Sequence, residues 1–385
     1  MTHRVLVAAG GTGGHLYPAL SLIDAVTALD AEAAVTLVTS STAHDAELLR
    51  GYGGLGRVRV TSLPIRARAG GSPWAWCRFL GQLLQAWRLA ARLIAVERPR
   101  VVVGFGSYVS APVVLAGRLA GCRILVHEQN VLPGQANRRL APLADAVAVS
   151  CPQTLQRWRG RAPRRLTGNP IRASIGTIDQ TAARQAFGLA RDRRTLLVLG
   201  GSRGARAINR LLQDVVAAWS PAEREACQVL HLAGADEAPR VAAAYAQAGV
   251  AHRVLAFCDR MAEAYAAADL VVARAGATTL AELAAAGRPA ALIPYPHGDG
   301  HQRANAQRWA EAGAAALFEE RTLTVAAVAA WLRETLRDQR RVDAMAAAAA
   351  RLAHPEAARR LAQNVLTLAG WTAPVPAPAS AAVLA

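Results

Sequence analysis

The side chains able to do chemistry gather in a few short clusters, and the first ends in His15, the last residue of GGTGGH (residues 10–15). An imidazole with an ordinary pKa near 6.5 takes up a proton close to neutral pH, so a histidine opening a helix beside a crevice is a candidate general base. The glycines before it point backbone N–H groups and a positive helix end into that crevice, an arrangement that prefers phosphate. The same design returns half a chain later in GGSRGA (residues 200–205). Glu282 is the only charge in an apolar helical stretch that follows Ala275 and Gly276. A carboxylate in that setting needs a partner, and paired sugar hydroxyls would supply one. Polar residues also gather at two strand ends, His127-Glu128-Gln129-Asn130 and the proline-braced segment 295–305, where open α/β sheets bind ligands.

Positioning these clusters requires strands and helices that alternate. Short β-branched runs do alternate with longer amphipathic stretches, the pattern of parallel sheets covered by helices. Strands are expected at 5–9, 35–39, 58–63, 101–104, 124–127 and 146–150, and again at 195–199, 229–232, 254–257, 270–273, 290–294 and 315–318. The turn Gly168-Asn169-Pro170 divides the chain into domains 1–168 and 169–354. A last helix over 355–370 is expected to pack back on the first domain, and the Pro-Ala tail 371–385 to be disordered. A long helix over 74–94 is expected to bury Trp76, Phe79, Leu80, Leu83, Leu84, Trp87, Ala91 and Ile94 on one face. Before it, Arg66 and Arg68 stand near Pro73 and Trp74, a mixture suited to a membrane surface.

Composition bounds the function classes. The chain of 385 residues carries a formal charge of +17, and all 44 basic residues are arginine. No basic run interleaves with aromatics, which argues against a nucleic-acid partner; anionic lipid or a diphosphate substrate suits the charge better. The 5 cysteines form no CxxC pair and have no histidine at ligand spacing, so reduced thiols in a cytoplasmic protein are expected. No signal peptide or membrane span is expected, because glycines and prolines interrupt each uncharged stretch. A dinucleotide site would want an acid at the end of the second strand, but that strand ends Thr39-Ser40-Ser41, so an NAD-dependent oxidoreductase is a weak rival. No DxD triad is present to hold a nucleotide-bound cation, and metal independence is expected.

Taken together, the clusters resemble the MurG family of N-acetylglucosaminyltransferases. The matching pieces are GGTGGH, GFGSYVS (104–110), HEQN (127–130), TGNPIR (167–172), GGSRGA, RAGATTLAE (274–282) and PYPHGDGHQRANA (294–306), in family order from residue 4 to about 370. The resemblance implies the GT-B fold, two doubly wound Rossmann-like α/β domains facing across a cleft. It implies inverting transfer of N-acetylglucosamine from UDP-N-acetylglucosamine to the 4-hydroxyl of the muramoyl sugar of lipid I, giving lipid II for peptidoglycan. Thr12, Gly13, Gly14 and Asn130 are then placed at the donor sugar and diphosphate, with Arg172 and Ser202 on the diphosphate and Cys258 beside the uracil. Ala277, Thr278, Thr279, Leu280, Ala281 and Glu282 would frame the nucleotide, Glu282 on the ribose hydroxyls, and Gln302 would face the sugar hydroxyls. His15 is the implied base, with Glu128 as the next candidate, and Tyr108, His127 and Asn305 complete the cleft. No metal or other cofactor is implied. A peripheral place on the anionic cytoplasmic face of the inner membrane is implied, with cell-wall and division proteins as partners. Ser107 and Ala111 depart from common glycines, and a UDP-N-acetylglucosamine 2-epimerase, similar in fold, is the rival enzyme.

Overall fold

The computed structural model describes residues 3–371 except 51, 53, 55–57, 68–71, 159, 202, 203 and 298. Residues 372–385 of the expected tail and two expected contact residues, Arg68 and Ser202, lie outside the described residues, whereas Trp371, expected in the disordered tail, stacks on His3 with ring centroids 4.2 Å apart.

The first half builds seven parallel strands, β1 (His3–Ala8), β2 (Ala33–Ser40), β3 (Val58–Leu63), β4 (Val101–Gly104), β5 (Arg123–Glu128), β6 (Ala146–Val149) and β7 (Arg164–Leu166), in the order β3-β2-β1-β4-β5-β6-β7. Its helices are α1 (Gly13–Leu29), α2 (Ala43–Arg50), α3 (Pro73–Glu97), α4 (Ser107–Leu119), α5 (Gln135–Leu140) and α6 (Pro152–Arg157). The second half builds six, β8 (Arg194–Leu199), β9 (Cys227–Leu232), β10 (Ala251–Leu255), β11 (Leu270–Ala273), β12 (Ala290–Leu292) and β13 (Ala315–Leu317), in the order β10-β9-β8-β11-β12-β13. Around them lie α7 (Gln180–Ala186), α8 (Arg206–Ala217), α9 (Pro221–Ala226), α10 (Ala238–Gln247), α11 (Met261–Ala267), α12 (Ala277–Ala285), α13 (His301–Glu311), α14 (Val325–Arg337) and α15 (Gln339–Ala350). The final helix, α16 (Ala357–Ala369), returns to the first half.

Each sheet reverses its strand order once, beside β1 in the first and beside β8 in the second. Such switch points leave a crevice at the strand ends, and each glycine turn follows the strand at its own switch point. The strands read as unbroken apolar runs because both faces are covered. Along β1, Val5 and Val7 pack with Leu22 and Ile23 of α1 and with Leu361 and Val365 of α16. Leu6 and Ala8 face the other layer, with Ala86 and Ala90 of α3 and Val113 of α4.

Three expectations are corrected. The strand expected at 254–257 occupies Ala251–Leu255. β7 was not foreseen, because Arg164-Arg165-Leu166 offers no apolar run; it is an edge strand that pairs only with β6. The buried face of α3 is narrower than expected and shifted towards its alanines. Ala75, Ala86, Ala90 and Ile94 are buried, whereas Trp76, Leu80 and Leu84 are 44%, 56% and 47% exposed. Small alanines let α3 approach its neighbours closely; Phe79, Leu83 and Trp87 of the expected face pack against the core, while Trp76, Leu80 and Leu84 remain outside.

The two chain crossings between the halves touch each other. Gly168, at φ +85°, lies so close to His354 that a Cβ there would stand 2.3 Å from the histidine Cβ. Only glycine fits that crossing.

Candidate active site

A cleft of about 440 Å³ opens between the two sheets. Its first wall comes from Thr12, Gly13, Gly14, His15 and Tyr17 at the start of α1 and from Gln129 and Asn130 after β5. The facing wall comes from Arg172 in the connector, Gly200 and Gly201 after β8, Phe257 and Cys258 after β10, Gly276 to Thr279 and Glu282 around the start of α12, and His301 and Gln302 at the start of α13. The N-termini of α1, α12 and α13 thus all open on one space, and their unpaired N–H groups favour a negatively charged occupant.

His15 is held by its own turn. Thr12 is the residue before α1 and has an extended backbone, yet its hydroxyl makes no cap bond; it meets His15 Nδ1 at 2.9 Å instead. When Nδ1 carries the proton and Thr12 accepts it, Nε2 keeps a lone pair that can take a proton from a substrate. Burial in the cleft lowers the His15 pKa to about 4, although nearby Asp45 acts in the opposite sense. The imidazole is therefore neutral at neutral pH.

Asp45, on α2, is the acid that holds the turn. It accepts from Gly11 N at 2.9 Å, Thr39 Oγ1 at 2.9 Å and Ser40 N at 3.2 Å, and also from the Ser40 hydroxyl. A Cβ on Gly10 would stand 2.6 Å from its Oδ2. The end of β2 has no acid in sequence, but Asp45 reaches back to it in space; its carboxylate is spent on the turn.

Glu282 is buried, and its expected dependence on a ligand for partners is corrected. Arg172 Nη2 donates to Oε1 at 2.7 Å and the Tyr265 hydroxyl donates to Oε2 at 2.9 Å. Arg172 also lies over the Tyr17 ring, 4.7 Å from its centroid. Its Nε is buried and has no partner among the described residues. Gln302 Oε1 accepts from Ala275 N at 3.2 Å and Tyr295 N at 3.0 Å, leaving its amide N–H groups as the polar edge for a ligand.

Several residues assigned to the cleft lie behind it. Glu128 is 1% exposed and accepts from Asn130 N, Asn130 Nδ2, Gly134 N and Asn137 Nδ2, so its oxygens organise the loop after β5 and cannot serve as a base. His127 is fully buried, bonded to Gly168 O at 3.1 Å and to Gln129 Nε2 at 3.1 Å, and burial lowers its pKa to about 4. Tyr108 packs beneath the first turn, 2.9 Å from where a Gly11 Cβ would stand. Leu280, Ala281 and Asn305 line a separate cavity of about 40 Å³ on the other side of α12. Asn305 bridges the domains, accepting from Val131 N at 3.0 Å and donating to Asn130 Oδ1 at 3.1 Å. Among the described residues no three His, Cys, Asp or Glu side chains converge as metal ligands would.

Residues 5–149 match the N-terminal domain of glycosyltransferase family 28, and residues 195–361 match its C-terminal domain. A relative from Frankia casuarinae, a UDP-N-acetylglucosamine--N-acetylmuramyl-(pentapeptide) pyrophosphoryl-undecaprenol N-acetylglucosamine transferase, is 41% identical over 93% of this chain and 94% of its own. A relative of the same name from Pseudomonas fluorescens is 40% identical over 96% of this chain and 99% of its own. The crystal structure of Acinetobacter baumannii MurG superposes with a TM-score of 0.72 at 29% identity, covering 94% of this chain and 99% of that one. The chain belongs to the MurG family. A UDP-N-acetylglucosamine 2-epimerase from Listeria monocytogenes, at 16% identity and a TM-score of 0.68, shares the fold alone. For a MurG-family site, the sequence reading missed Asp45, Tyr17 and Tyr265. Asp45 had one available signal, an acid a few residues past β2; Tyr17 and Tyr265 carried none apart from their helices.

Proposed function

We propose that this chain transfers N-acetylglucosamine from UDP-N-acetylglucosamine to the 4-hydroxyl of the muramoyl sugar of lipid I, releasing UDP and lipid II. One observation carries the reading: His15 stands on one wall of a single cleft, and Glu282, Cys258 and Gln302 stand on the other. The acceptor oxygen attacks the anomeric carbon from the face opposite the diphosphate, its proton passes to His15 Nε2, and the bond to UDP breaks with inversion. Charge that develops on the departing diphosphate meets the N-termini of α1 and α12 and the positive guanidinium of Arg172. Glu282 takes the ribose hydroxyls with lone pairs left over from Arg172 and Tyr265, and Gln302 donates to the sugar hydroxyls. No metal is needed, since these groups supply the positive potential. The test is incubation with UDP-N-acetylglucosamine and a lipid I analogue. UDP plus a disaccharide product supports the reading, whereas UDP-N-acetylmannosamine without acceptor consumption would favour the epimerase.

A lipid-linked acceptor requires the cleft to reach a membrane surface. Among the described residues no helix is long and apolar enough to cross a membrane. The exposed stripe Trp76, Leu80 and Leu84, with Trp74 at 86% exposure and Arg66 and Arg78 beside it, supports peripheral docking through the start of α3, on the cytoplasmic face where UDP-sugars are made available.

A further inference from the structure

Helix α1 carries Pro18 in its interior. In an α-helix the carbonyl of residue 14 would accept from the N–H of residue 18, and proline has none. The Gly14 carbonyl is not left idle: Thr278 Oγ1, from the other domain, donates to it at 2.9 Å. Thr278 in turn accepts from Asn169 Nδ2 at 3.2 Å, and Asn169 lies in the connector between the domains. Thr278 and Asn169 are 6% and 5% exposed, so both side chains are committed to this chain of bonds. Proline is harmless at the first position of a helix, where its missing N–H would have no partner anyway. Here it lies deeper, and the carbonyl it vacates immediately precedes His15.

We propose that Thr278 is a positioning residue that clamps the Gly14 carbonyl, so that the donor-side domain sets the place of the His15 turn and completes the site only when the cleft is closed. Pro18 makes the clamp available by removing the competing intrahelical donor. The inference rests on His15 acting as base. The two domains otherwise meet here through a few polar contacts, such as Asn305 with Val131 and Asn130, and contacts of that kind permit relative motion. Each contact that holds the closed arrangement therefore counts.

The experiment compares Thr278→Val, which keeps the shape without the hydroxyl, with Thr278→Ser, which keeps the hydroxyl. Loss of the bond to the Gly14 carbonyl should lower kcat about 10-fold in Thr278→Val, with Thr278→Ser close to wild type. Gly14 is exposed, so water can replace the donor lost there, but the buried Asn169 Nδ2 loses its acceptor, so Tm should fall modestly in Thr278→Val and hold in Thr278→Ser. In a Pro18→Ala background, where residue 18 regains its N–H, Thr278→Val should cost only about 2-fold, a coupling that a purely local packing role would not produce. Paired spin labels, one on each domain, should report a longer and broader distance in Thr278→Val than in Thr278→Ser. Thr278→Ser as impaired as Thr278→Val, or Thr278→Val with wild-type kcat and an unchanged distance, overturns the clamp. If wild type itself transfers no sugar, the functional reading falls, while the distance measurement still decides the clamp.

Discussion

At the scale of single residues, the neutral state of His15 shapes two expectations. With its pKa pressed by burial to about 4, the acidic limb of the rate profile should fall near pH 4 and not near 6.5. His15→Ala should remove that limb and lower kcat by roughly 100- to 10,000-fold, with UDP affinity nearly intact, because general-base catalysis contributes on that scale. A mutant with near-normal kcat and an intact limb would exclude His15. Glu282 calls for a different balance from the one its sequence suggests. Glu282→Ala should weaken UDP binding and also destabilise the protein by on the order of 2 to 3 kcal/mol, because it strands the buried Tyr265 hydroxyl and one bond of Arg172. Calorimetry with UDP and a urea midpoint read the two effects separately; an unchanged UDP affinity would sink the ribose assignment. Turnover should be unaffected by excess EDTA, and activity lost to chelator and restored by Mg²⁺ or Mn²⁺ would contradict that.

At the scale of elements, α3 is where sequence and structure part. The apolar positions were visible, but choosing the inward face needs to know what the helix packs against. Alanine, tryptophan and leucine occur all around the helix, and which of them turn inward is decided by the close approach to α4. The exposed stripe sharpens the docking prediction: Leu80→Glu with Leu84→Glu should reduce sedimentation with anionic vesicles more than Arg66→Glu alone, and only the arginine contribution should fade with salt. Double-glutamate protein that still pellets like wild type would place the contact elsewhere. β7, with Arg164-Arg165-Leu166, offered no such local pattern, but most strands were legible as local apolar runs, and both glycine turns because each follows such a run. The partners of Glu282, the retreat of His127 and Glu128 behind the cleft, and the reach of Asp45 from α2 were not. Each depends on side chains that are distant in sequence and meet only across packed elements.

At the scale of the whole molecule, buried neutral histidines tie stability to pH. Burial lowers His127 to about 4 and His231, bonded to Tyr245 and Asn209, to about 3. The unfolded chain takes up protons below about 6.5 while the native sites stay neutral, so stability should be level above that pH and fall as pH drops towards those native values. The loss amounts to roughly 3 kcal/mol for a site moved from 6.5 to about 4. Urea midpoints at pH 7, 6 and 5 test this, since few carboxylates titrate there, and a midpoint flat across that span would refute it. The return of α16 has a consequence for the order in which the chain is made. Leu361, Val365 and Leu366 fill the same core as Val5, Leu22 and Ile23. As the ribosome delivers the chain from its first residue, the first sheet emerges early but waits through the whole second domain for the helix that covers one of its faces. The later-made domain is thus the first able to close its core, and the earlier-made one spends synthesis with an apolar surface that solvent or a chaperone must occupy.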